Sequence, residues 1–513
     1  MQVIGDIVRL NAKRYPDKNA LIMDDKHLTH GQLNQQVNQL AHGLLSVGVR
    51  PGDRVAILAY NCLECVVVNY ATAKCGGVVV PVNFRYKRNE LIYLINNSEP
   101  KVLFFGSDFI SLVEDAKAEF VSPVHLVAIS GELLDSGFSL TNMMDERPTE
   151  EPGIKMDPTS PFTITYTSGT TGSPKGVLAS HSAFLNIYQG MTIEGDLQSD
   201  EITLVCLPLF HTGGMHALTQ PTLLRGGTAV IMSKGFDPDK ILDAVLRYGV
   251  TLTMWVPTML AMLVNYPDIT KYNLSTLEKI WYGSSAISPP VLEASVDIFK
   301  TRFYQWYGQT ETGMVSVLRP EDHLERSQCT GREMFNADLR IVSENGKDTP
   351  EGEIGEIISA QQYLGMIGYH NMEEANKRTI RDGWIHTGDL ARVEGQGYFT
   401  IVDRMNDMII SGAENIYPKE IEDVLSVHTG VLEVAVFGIP DEVYGESVCA
   451  VIVKKQGSQL NEKEVIDFCA SKISSYKKPK RVAFIDELPK NPSGKIMKKV
   501  LREPYWADRK KRV

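Results

Sequence analysis

The sequence predicts an α/β protein with a large N-terminal domain of mostly parallel sheets sandwiched by helices, and a small α+β C-terminal domain. Three observations support this prediction. Short apolar runs alternate with helical patterns, an order that is typical of parallel sheets. After about residue 350 the strand-like runs lie closer together, and a separate unit begins beyond Asp403. The 513 residues also exceed what one hydrophobic core usually supports, which implies at least two domains.

The N-terminal elements follow from hydrophobic periodicity and turn residues. Apolar residues at helical spacing predict a helix over 32–47, and the turn Pro51-Gly52-Asp53 separates it from a buried strand at 54–59. Further short apolar runs, each followed by Gly, Pro or Ser and then a helical pattern, predict strands at 162–166, 203–209, 229–232, 251–256 and 279–282.

The C-terminal elements are more closely spaced. Strands are predicted at 355–360 and 397–402, before a joint at 403–406. Beyond the joint the sequence predicts a helix opened by Pro418, strands at 431–439 and 447–453, a helix at 462–473 and a strand at 481–485. We therefore divide the chain into domains at 1–403 and 404–513.

Composition and charge exclude some functional classes. Hydrophobic residues make up 43% of the chain and charged residues 22%, as in an ordinary globular protein. The 52 basic and 63 acidic residues give a net charge of −11. This balance argues against a nucleic-acid partner, because binding a polyanion needs a positive surface.

The sequence shows no membrane or targeting signal. Its most apolar region, 55–82, is interrupted by four polar or charged residues, so no transmembrane segment is predicted. Seven cysteines in a chain without a predicted signal peptide indicate reduced thiols and a cytoplasmic location. We interpret Cys62 and Cys65, although spaced as CxxC, as small apolar residues on a buried helix.

The segment from Tyr166 to Gly176 carries the strongest functional signal. It has the sequence Tyr-Thr-Ser-Gly-Thr-Thr-Gly-Ser-Pro-Lys-Gly and follows a predicted buried strand. Small and hydroxyl residues let the backbone approach a polyphosphate closely, and Lys175 adds a positive charge. The segment is not a Walker loop, because Lys175 lies between Pro174 and Gly176 instead of in Gly-Lys-Ser/Thr. We therefore expect a phosphate-binding loop of another type.

This segment resembles the phosphate loop of the adenylate-forming, AMP-binding enzymes, which include acyl-CoA synthetases, luciferases and peptide-synthetase adenylation domains. The resemblance covers nearly the whole chain and is strongest to the acyl-CoA synthetase and fatty-acid–CoA ligase branch. Further motifs in the family's order are Tyr307-Gly-Gln-Thr-Glu311, Gly383-Trp-Ile-His-Thr-Gly-Asp389, Asp403-Arg404 with Ser411-Gly412, and Pro492-Ser-Gly-Lys495.

The resemblance implies a two-step reaction with ATP, Mg²⁺ and CoA. A carboxylate attacks the α-phosphorus of ATP to give an acyl-adenylate and pyrophosphate, and the thiol of CoA then displaces AMP. Thr310 would contact the α-phosphate. Glu311 would bind Mg²⁺ with the Thr167 hydroxyl nearby, since a hard cation prefers oxygen ligands. The residues that would hold the β- and γ-phosphates are Thr167, Ser168, Gly169, Thr170, Thr171, Gly172 and Lys175.

The resemblance also assigns the nucleoside contacts. Tyr307 would stack on the adenine, and the backbone of Gly283-Ser284-Ser285 would line the other side of the base. Asp389 would accept hydrogen bonds from the ribose hydroxyls, because a carboxylate can pair with two adjacent donors. Arg404 would contact the ribose as well.

The small domain would complete the active site, and the resemblance implies that it is mobile. Lys495 would bridge the substrate carboxylate and the α-phosphate, since an ammonium between two anions stabilises the transition state. The domain would then swing about a hinge near Asn406, where the family usually has Asp or Lys. This swing would bring Gly412 to the active site, where the missing side chain lets the pantetheine arm of CoA pass.

The segment around His211 bears on the identity of the acid. Amino-acid-activating domains have at this position an Asp that pairs with the substrate ammonium; with His211 there, an ammonium would be left unpaired, which is costly. We expect His211 beside the acyl pocket, with Gly213 and Gly214 leaving volume for a chain or ring. The other expected wall residues are Thr212, Met215, Trp281, Ala286 and Met314.

The favoured substrate is a medium- or long-chain fatty acid. An aromatic or alicyclic acid, and a carrier protein in place of CoA, remain open alternatives.

A luciferase-like oxygenase would share every motif, whereas a non-catalytic AMP-binding regulator would be expected to lack Lys495 or Glu311, which are both present. A tRNA ligase would need a basic face, against which the net charge argues. A homodimer is also left open.

Overall fold

The computed structural model describes residues 1–130, 138–167, 174–285, 287–411, 414–490 and 495–507. Within these ranges the chain forms three sheets, of fourteen, eight and five strands. The two larger sheets belong to the N-terminal part. Every strand of the five-stranded sheet begins after residue 404.

The strands are short, as is usual for a chain that alternates between strands and helices. In chain order they are β1 (Asn19–Met23), β2 (Lys26–Thr29), β3 (Arg54–Leu58), β4 (Val78–Pro81), β5 (Val102–Phe105), β6 (His125–Ala128), β7 (Phe138–Ser139), β8 (Pro161–Thr167), β9 (Lys175–Ser180), β10 (Ile202–Val205), β11 (Thr228–Ile231), β12 (Leu252–Trp255), β13 (Lys279–Gly283), β14 (Arg302–Gln309), β15 (Gly313–Leu318), β16 (Gly331–Glu333), β17 (Leu339–Val342), β18 (Ile354–Ala360), β19 (Gly368–Tyr369), β20 (Ile380–Arg381), β21 (Trp384–Val393), β22 (Tyr398–Arg404), β23 (Ile409–Ser411), β24 (Glu414–Ile416), β25 (Val431–Asp441), β26 (Gly445–Lys454) and β27 (Arg481–Phe484).

The helices cover the faces of these sheets. In chain order they are α1 (Asp6–Arg14), α2 (His30–Ser46), α3 (Leu63–Lys74), α4 (Arg88–Ser98), α5 (Ile110–Ala116), α6 (Leu140–Met144), α7 (His181–Glu194), α8 (Gln220–Arg225), α9 (Pro238–Tyr248), α10 (Pro257–Val264), α11 (Pro289–Phe299), α12 (His323–Arg326), α13 (Gln361–Leu364), α14 (Glu373–Thr379), α15 (Pro418–Ser426), α16 (Glu462–Lys472) and α17 (Lys498–Trp506). A single π-helix, Gly213–Thr219, precedes α8 among the described elements.

The predicted α/β class, with a smaller α+β unit at the C-terminus, is confirmed. In the largest sheet β11, β10, β12, β13 and β14 pair in parallel, and in the eight-stranded sheet β3 lies parallel between β4 and β5. Beyond Gln309 the largest sheet continues antiparallel through β15, β16, β22, β21 and β18. The parallel arrangement therefore ends at β14, where crossover helices give way to shorter connections.

The main hydrophobic core lies between the two large sheets. It joins residues of β3, β4 and β8 to residues of β12, β13 and β14, with α2, α3 and α7 between them. Helix α3 is buried around most of its circumference, as expected for a helix enclosed between sheets. The C-terminal unit has separate clusters on the two faces of its own sheet.

Most predicted elements lie close to their predicted positions. The helix predicted at 32–47 is α2, which begins with a capping box formed by Thr29 and Gln32. The strand predicted at 203–209 is shorter, because β10 ends at Val205 and Asn61 holds the following turn. The Asn61 amide donates to Leu207 O at 3.0 Å and accepts from Leu209 N at 2.8 Å. Helix α17 was not predicted.

No disulfide forms among the cysteines of the described residues. All seven cysteines lie in the described ranges and are free, and Cys65 is buried on α3 while Cys62 precedes the helix and is half-buried. Within those ranges, none of the helices combines the length and apolarity needed to cross a bilayer.

A buried ion pair fixes the start of β13, the strand that leads to Gly283. Lys279 Nζ donates to Glu201 Oε2 at 2.6 Å and to Asp196 O at 2.7 Å, and both charged side chains are 2% exposed. The Thr251 hydroxyl donates to the other Glu201 oxygen. These contacts connect the chain before β10 to β12 and β13.

Replacing Lys279 with Met should lower the free energy of unfolding by about 3–5 kcal/mol, because Glu201 would stay buried without its partner. Urea unfolding followed by tryptophan fluorescence is the measurement. The matched control is Arg247→Met, since the Arg247–Asp25 pair is exposed and should contribute less than about 1 kcal/mol. Equal effects of the two substitutions would contradict a stabilising role for the buried pair.

Candidate active site

A cavity of about 870 Å³ lies between the largest sheet and the C-terminal unit. One wall is formed by β14 and the residues after β13, and the opposite wall by α15, β25 and α17. The fold therefore brings both predicted domains to one site. The predicted residues that line it are Ser284, Ser285, Tyr307, Asp389, Arg404, Asn406 and Lys495.

The Asp389 carboxylate in this cavity is contacted by three donors. Strand pairing places it opposite Arg404, whose Nε lies 3.2 Å from Asp389 Oδ1. Tyr307 Oη and Gln309 Nε2 both donate to Oδ2, at 2.9 and 2.7 Å. The residue is only 4% exposed, and beyond these three donors its carboxylate retains acceptor capacity for a ribose hydroxyl.

The neighbours of Asp389 are held in their ordinary protonation states. Burial, with the nearby Asp389 charge, raises the pKa of Tyr307 well above its usual value, so this residue remains a phenol that donates. Burial alone would lower the pKa of Arg404, but the charges of Asp389 and Asp407 outweigh it, and the pKa stands above its usual value. Sequence analysis assigned no role to Gln309, the third residue of the Tyr307–Glu311 motif.

The backbone after β13 is shaped for close approach. A Cβ at Gly283 would lie 2.3 Å from Trp306 O on the neighbouring strand, so a larger residue would push β13 and β14 apart. Ser284 then adopts a positive φ of 69°, a conformation that is rare for a residue other than glycine and is often found at functional sites. Ser284 and Ser285 consequently turn into the cavity at the end of a parallel strand.

Glu311 and Thr310 lie in the turn between β14 and β15, and Tyr369 contacts the Glu311 carboxylate. The Tyr369 hydroxyl donates to Glu311 Oε1 at 2.9 Å, and Lys175 Nζ lies 4.8 Å from the centre of the Tyr369 ring. Sequence analysis missed Tyr369, because its position opposite Val177 is set by the pairing of β19 with β9.

The predicted phosphate loop connects β8 to β9. Thr167 pairs with Lys175 at the open end of this hairpin, and its hydroxyl lies 3.5 Å from Lys175 O. The other predicted loop residues lie outside the described residues; they are Ser168, Gly169, Thr170, Thr171 and Gly172. The predicted contacts of Ala286 and Gly412 also fall on residues outside the described ranges.

The available oxygen ligands fit a cation held largely by a nucleotide. In the described part of the chain no three His, Cys, Asp or Glu side chains come together as a metal site. Tyr369 occupies Oε1 of Glu311, which leaves Oε2 as the oxygen that could bind a cation. One carboxylate supplemented by phosphate oxygens is a ligand set that suits Mg²⁺.

Lys495 lies in the cavity wall together with Tyr307, Asp389 and Arg404. Burial and the neighbouring Arg404 charge lower the pKa of Lys495 to about 8.

The joint before the C-terminal unit is anchored by Asp403, whose Oδ2 accepts from the N–H of Lys419 on α15 at 3.0 Å. Burial raises the pKa of Asp403 to about 6.

The acyl side differs from the sequence expectation. His211 is not among the residues that line the cavity, and burial lowers its pKa to about 4, so it is neutral. The expectation that Gly213 and Gly214 leave volume is wrong for Gly214, where a Cβ would lie 2.4 Å from Pro208 O. The small residues let the π-helix pack against the backbone before it.

Comparisons with known proteins agree with this geometry. The family model for AMP-binding enzymes matches residues 8–370, and the model for their C-terminal domain matches residues 420–495. The fatty acid–[acyl-carrier-protein] ligase ScoC of Streptomyces coeruleorubidus is 34% identical and is aligned over 100% of this chain and 98% of its own. The indoleacetate–CoA ligase of Aromatoleum aromaticum is 36% identical over 95% of each chain.

A solved structure extends the agreement to the whole fold. ATP-bound MatB from Rhodopseudomonas palustris superposes with a TM-score of 0.90 at 30% identity, covering 98% of this chain and 99% of the other. Two family models match the chain, and relatives above 30% identity align with it over nearly its full length. These matches establish the family. The chain therefore belongs to the adenylate-forming AMP-binding enzymes, as an AMP-forming acid–thiol ligase.

Proposed function

We propose that this enzyme converts an apolar carboxylic acid to its acyl-adenylate with ATP and Mg²⁺ and then transfers the acyl group to CoA. A medium- or long-chain fatty acid is the first candidate. The observation that supports the proposal most directly is one cavity shared by a fixed carboxylate, Asp389, and two cations, Arg404 and Lys495.

The cavity supplies a distinct partner for each part of an acyl-adenylate. Asp389 accepts from the ribose and Arg404 adds a donor beside it, while Lys495 supplies an ammonium to the same cavity. An ammonium between the acid and the α-phosphate lowers the repulsion of two anions as the bond forms. The partly buried position of Lys495 strengthens this effect, because less water screens the charge.

The pyrophosphate end of ATP would lie toward Lys175 and the Glu311–Tyr369 pair. Lys175 lies at the base of the predicted loop, and Glu311 provides a carboxylate oxygen near it through their shared contact with Tyr369. When bound there, Mg²⁺ would neutralise charge on the phosphates. The turn that carries Glu311 also holds Thr310, which would reach the α-phosphate.

An aromatic acid is the second candidate, favoured by the name of the second relative above, an indoleacetate–CoA ligase. Trp281 and Trp306 do not form a substrate wall, because both are almost fully buried in the core, where their ring centres lie 4.9 Å apart. The names of the two relatives above cover both a fatty acid and an arylacetate.

ATP–pyrophosphate exchange with a panel of acids tests the proposal. The panel runs from acetate to palmitate and includes benzoate, phenylacetate and cinnamate, with CoA or a holo-carrier protein added afterwards. We expect exchange to rise with apolar size and thioester to form with CoA. No exchange with any acid would refute the proposal, and thioester formation with the carrier alone would reassign the acceptor.

Replacing Lys495 with Ala should reduce adenylation by at least about 10²–10³-fold, because the charge between the two anions is lost. Thioester formation from a preformed acyl-adenylate should stay close to wild type. Pyrophosphate exchange and single-turnover thioester assays separate the two steps. The exposed Lys472→Ala on α16 is the control, and a wild-type exchange rate in Lys495→Ala would rule out the assigned role.

Adenylation should lose activity as the pH rises through about 8. Lys495, with its pKa lowered to about 8, acts in its charged form, which is present below this pH and lost above it. We expect kcat/KM, which reports the free enzyme, to fall as the pH rises through about 8. The fall in kcat should occur at a higher pH, because bound anions favour the ammonium. Lys495→Arg should remove the fall in kcat/KM; an unchanged fall would assign the titration to another group.

A further inference from the structure

The segment 366–370 connects the strand after the phosphate loop to the turn that carries the metal-ligand candidate. Met366 N–H donates to the main-chain oxygen of Glu311 at 2.8 Å, and His370 N–H donates to Gly176 O at 2.7 Å. Tyr369 lies between these two anchor points, in the short strand that pairs with β9. Its backbone is therefore fixed relative to both sides of the proposed pyrophosphate site.

The side chain of Tyr369 contacts a charged group on each side. Its hydroxyl donates to Glu311 Oε1 at 2.9 Å, and its ring face carries Lys175 Nζ at 4.8 Å from the centre. The first contact restricts the rotation of the carboxylate, and the second places the ammonium over a π system. Tyr369 is 7% exposed, and Lys175 and Glu311 are half-buried.

Lys175 and Glu311 carry opposite charges, and Tyr369 contacts both of them. Among the described residues, neither Lys175 nor Glu311 forms an ion pair, although both contact the same side chain. A direct pair would use the lysine charge needed by phosphate and the carboxylate oxygen needed by a cation.

We infer that Tyr369 is a positioning residue for ATP activation, which aims Glu311 at the metal and holds Lys175 toward the phosphates by keeping the two apart. This inference rests on the proposed function. The Tyr369 hydroxyl positions the Glu311 carboxylate for the metal, and the Tyr369 ring positions the Lys175 ammonium for the phosphates. The two roles are therefore separable by substitution.

A purely structural role is the competing explanation, because Tyr369 also packs with Val177, Met366 and Ile385. Such a role would change thermal stability without changing the dependence of ATP binding on metal. Metal dependence therefore distinguishes the two explanations, and it can be measured without any acid or CoA.

The experiment is isothermal titration calorimetry of the full-length enzyme with ATP, in EDTA and at stepped Mg²⁺ concentrations. Tyr369→Phe should raise the Mg²⁺ concentration for half-maximal ATP affinity by about tenfold, while ATP affinity in EDTA changes less than about twofold. Tyr369→Leu should also weaken binding in EDTA by about fivefold, because Lys175 loses the ring and can pair with Glu311.

Two further variants make the test specific. Tyr398→Phe is the matched control, since Tyr398 donates to Asp322 Oδ1 at 2.6 Å and neither residue lines the candidate site; its metal dependence should be that of wild type. In a Glu311→Gln background, Tyr369→Phe should have no added effect on metal dependence, because the coupling partner is already gone.

Unchanged metal dependence in Tyr369→Phe, or the same tenfold change in the Glu311→Gln background, would overturn the inference. The Phe variant keeps the ring, so the test survives if Tyr369→Leu does not fold. A wild type that binds ATP with Mg²⁺ but activates no acid would refute the proposed function and still allow the Tyr369 test. A wild type that does not bind ATP would overturn both.

Discussion

The buried carboxylate of Asp389 is the interaction on which the arrangement of the site depends. A charge with so little exposure is stable only when donors surround it, and its donors come from β14 and β22. These strands are not neighbours in the sheet, so satisfying Asp389 fixes their relative positions. Arg404, one of the donors, is also the last residue of β22. The same contact therefore fixes the point at which the chain continues into the C-terminal unit.

Three cationic groups of the proposed nucleotide site are held by separate supports. Arg404 is neutralised by Asp389, Lys175 lies on the ring of Tyr369, and Lys495 is carried by the C-terminal unit. Gathered without an anion, these charges would repel one another, and the lowered pKa of Lys495 next to Arg404 reflects this repulsion together with burial. A polyanionic nucleotide would relieve it. A chain with a net charge of −11 can thus hold a local site for ATP.

The residues that sequence analysis identified share one property: they belong to short continuous motifs. Tyr307, Asp389, Arg404 and Lys495 were assigned from such motifs, and the fold places all four at one cavity. Gln309 and Tyr369 were missed because each acts on a partner far along the chain. The Tyr369–Glu311 contact spans 58 positions and the Gln309–Asp389 contact spans 80. The volume expected at Gly214 was misjudged because backbone packing, invisible in sequence, occupies it.

By itself the sequence determined the α/β class, the smaller C-terminal unit, the positions of most strands and the chemistry of the motifs. These follow from periodicity and from residue types, which act over a few neighbouring positions. The tertiary structure alone decided the antiparallel continuation after β14, the donors that hold Asp389 and the position of Tyr369 between Lys175 and Glu311. Strand order and register decide such contacts, and both depend on the packing of distant segments that one local pattern does not encode.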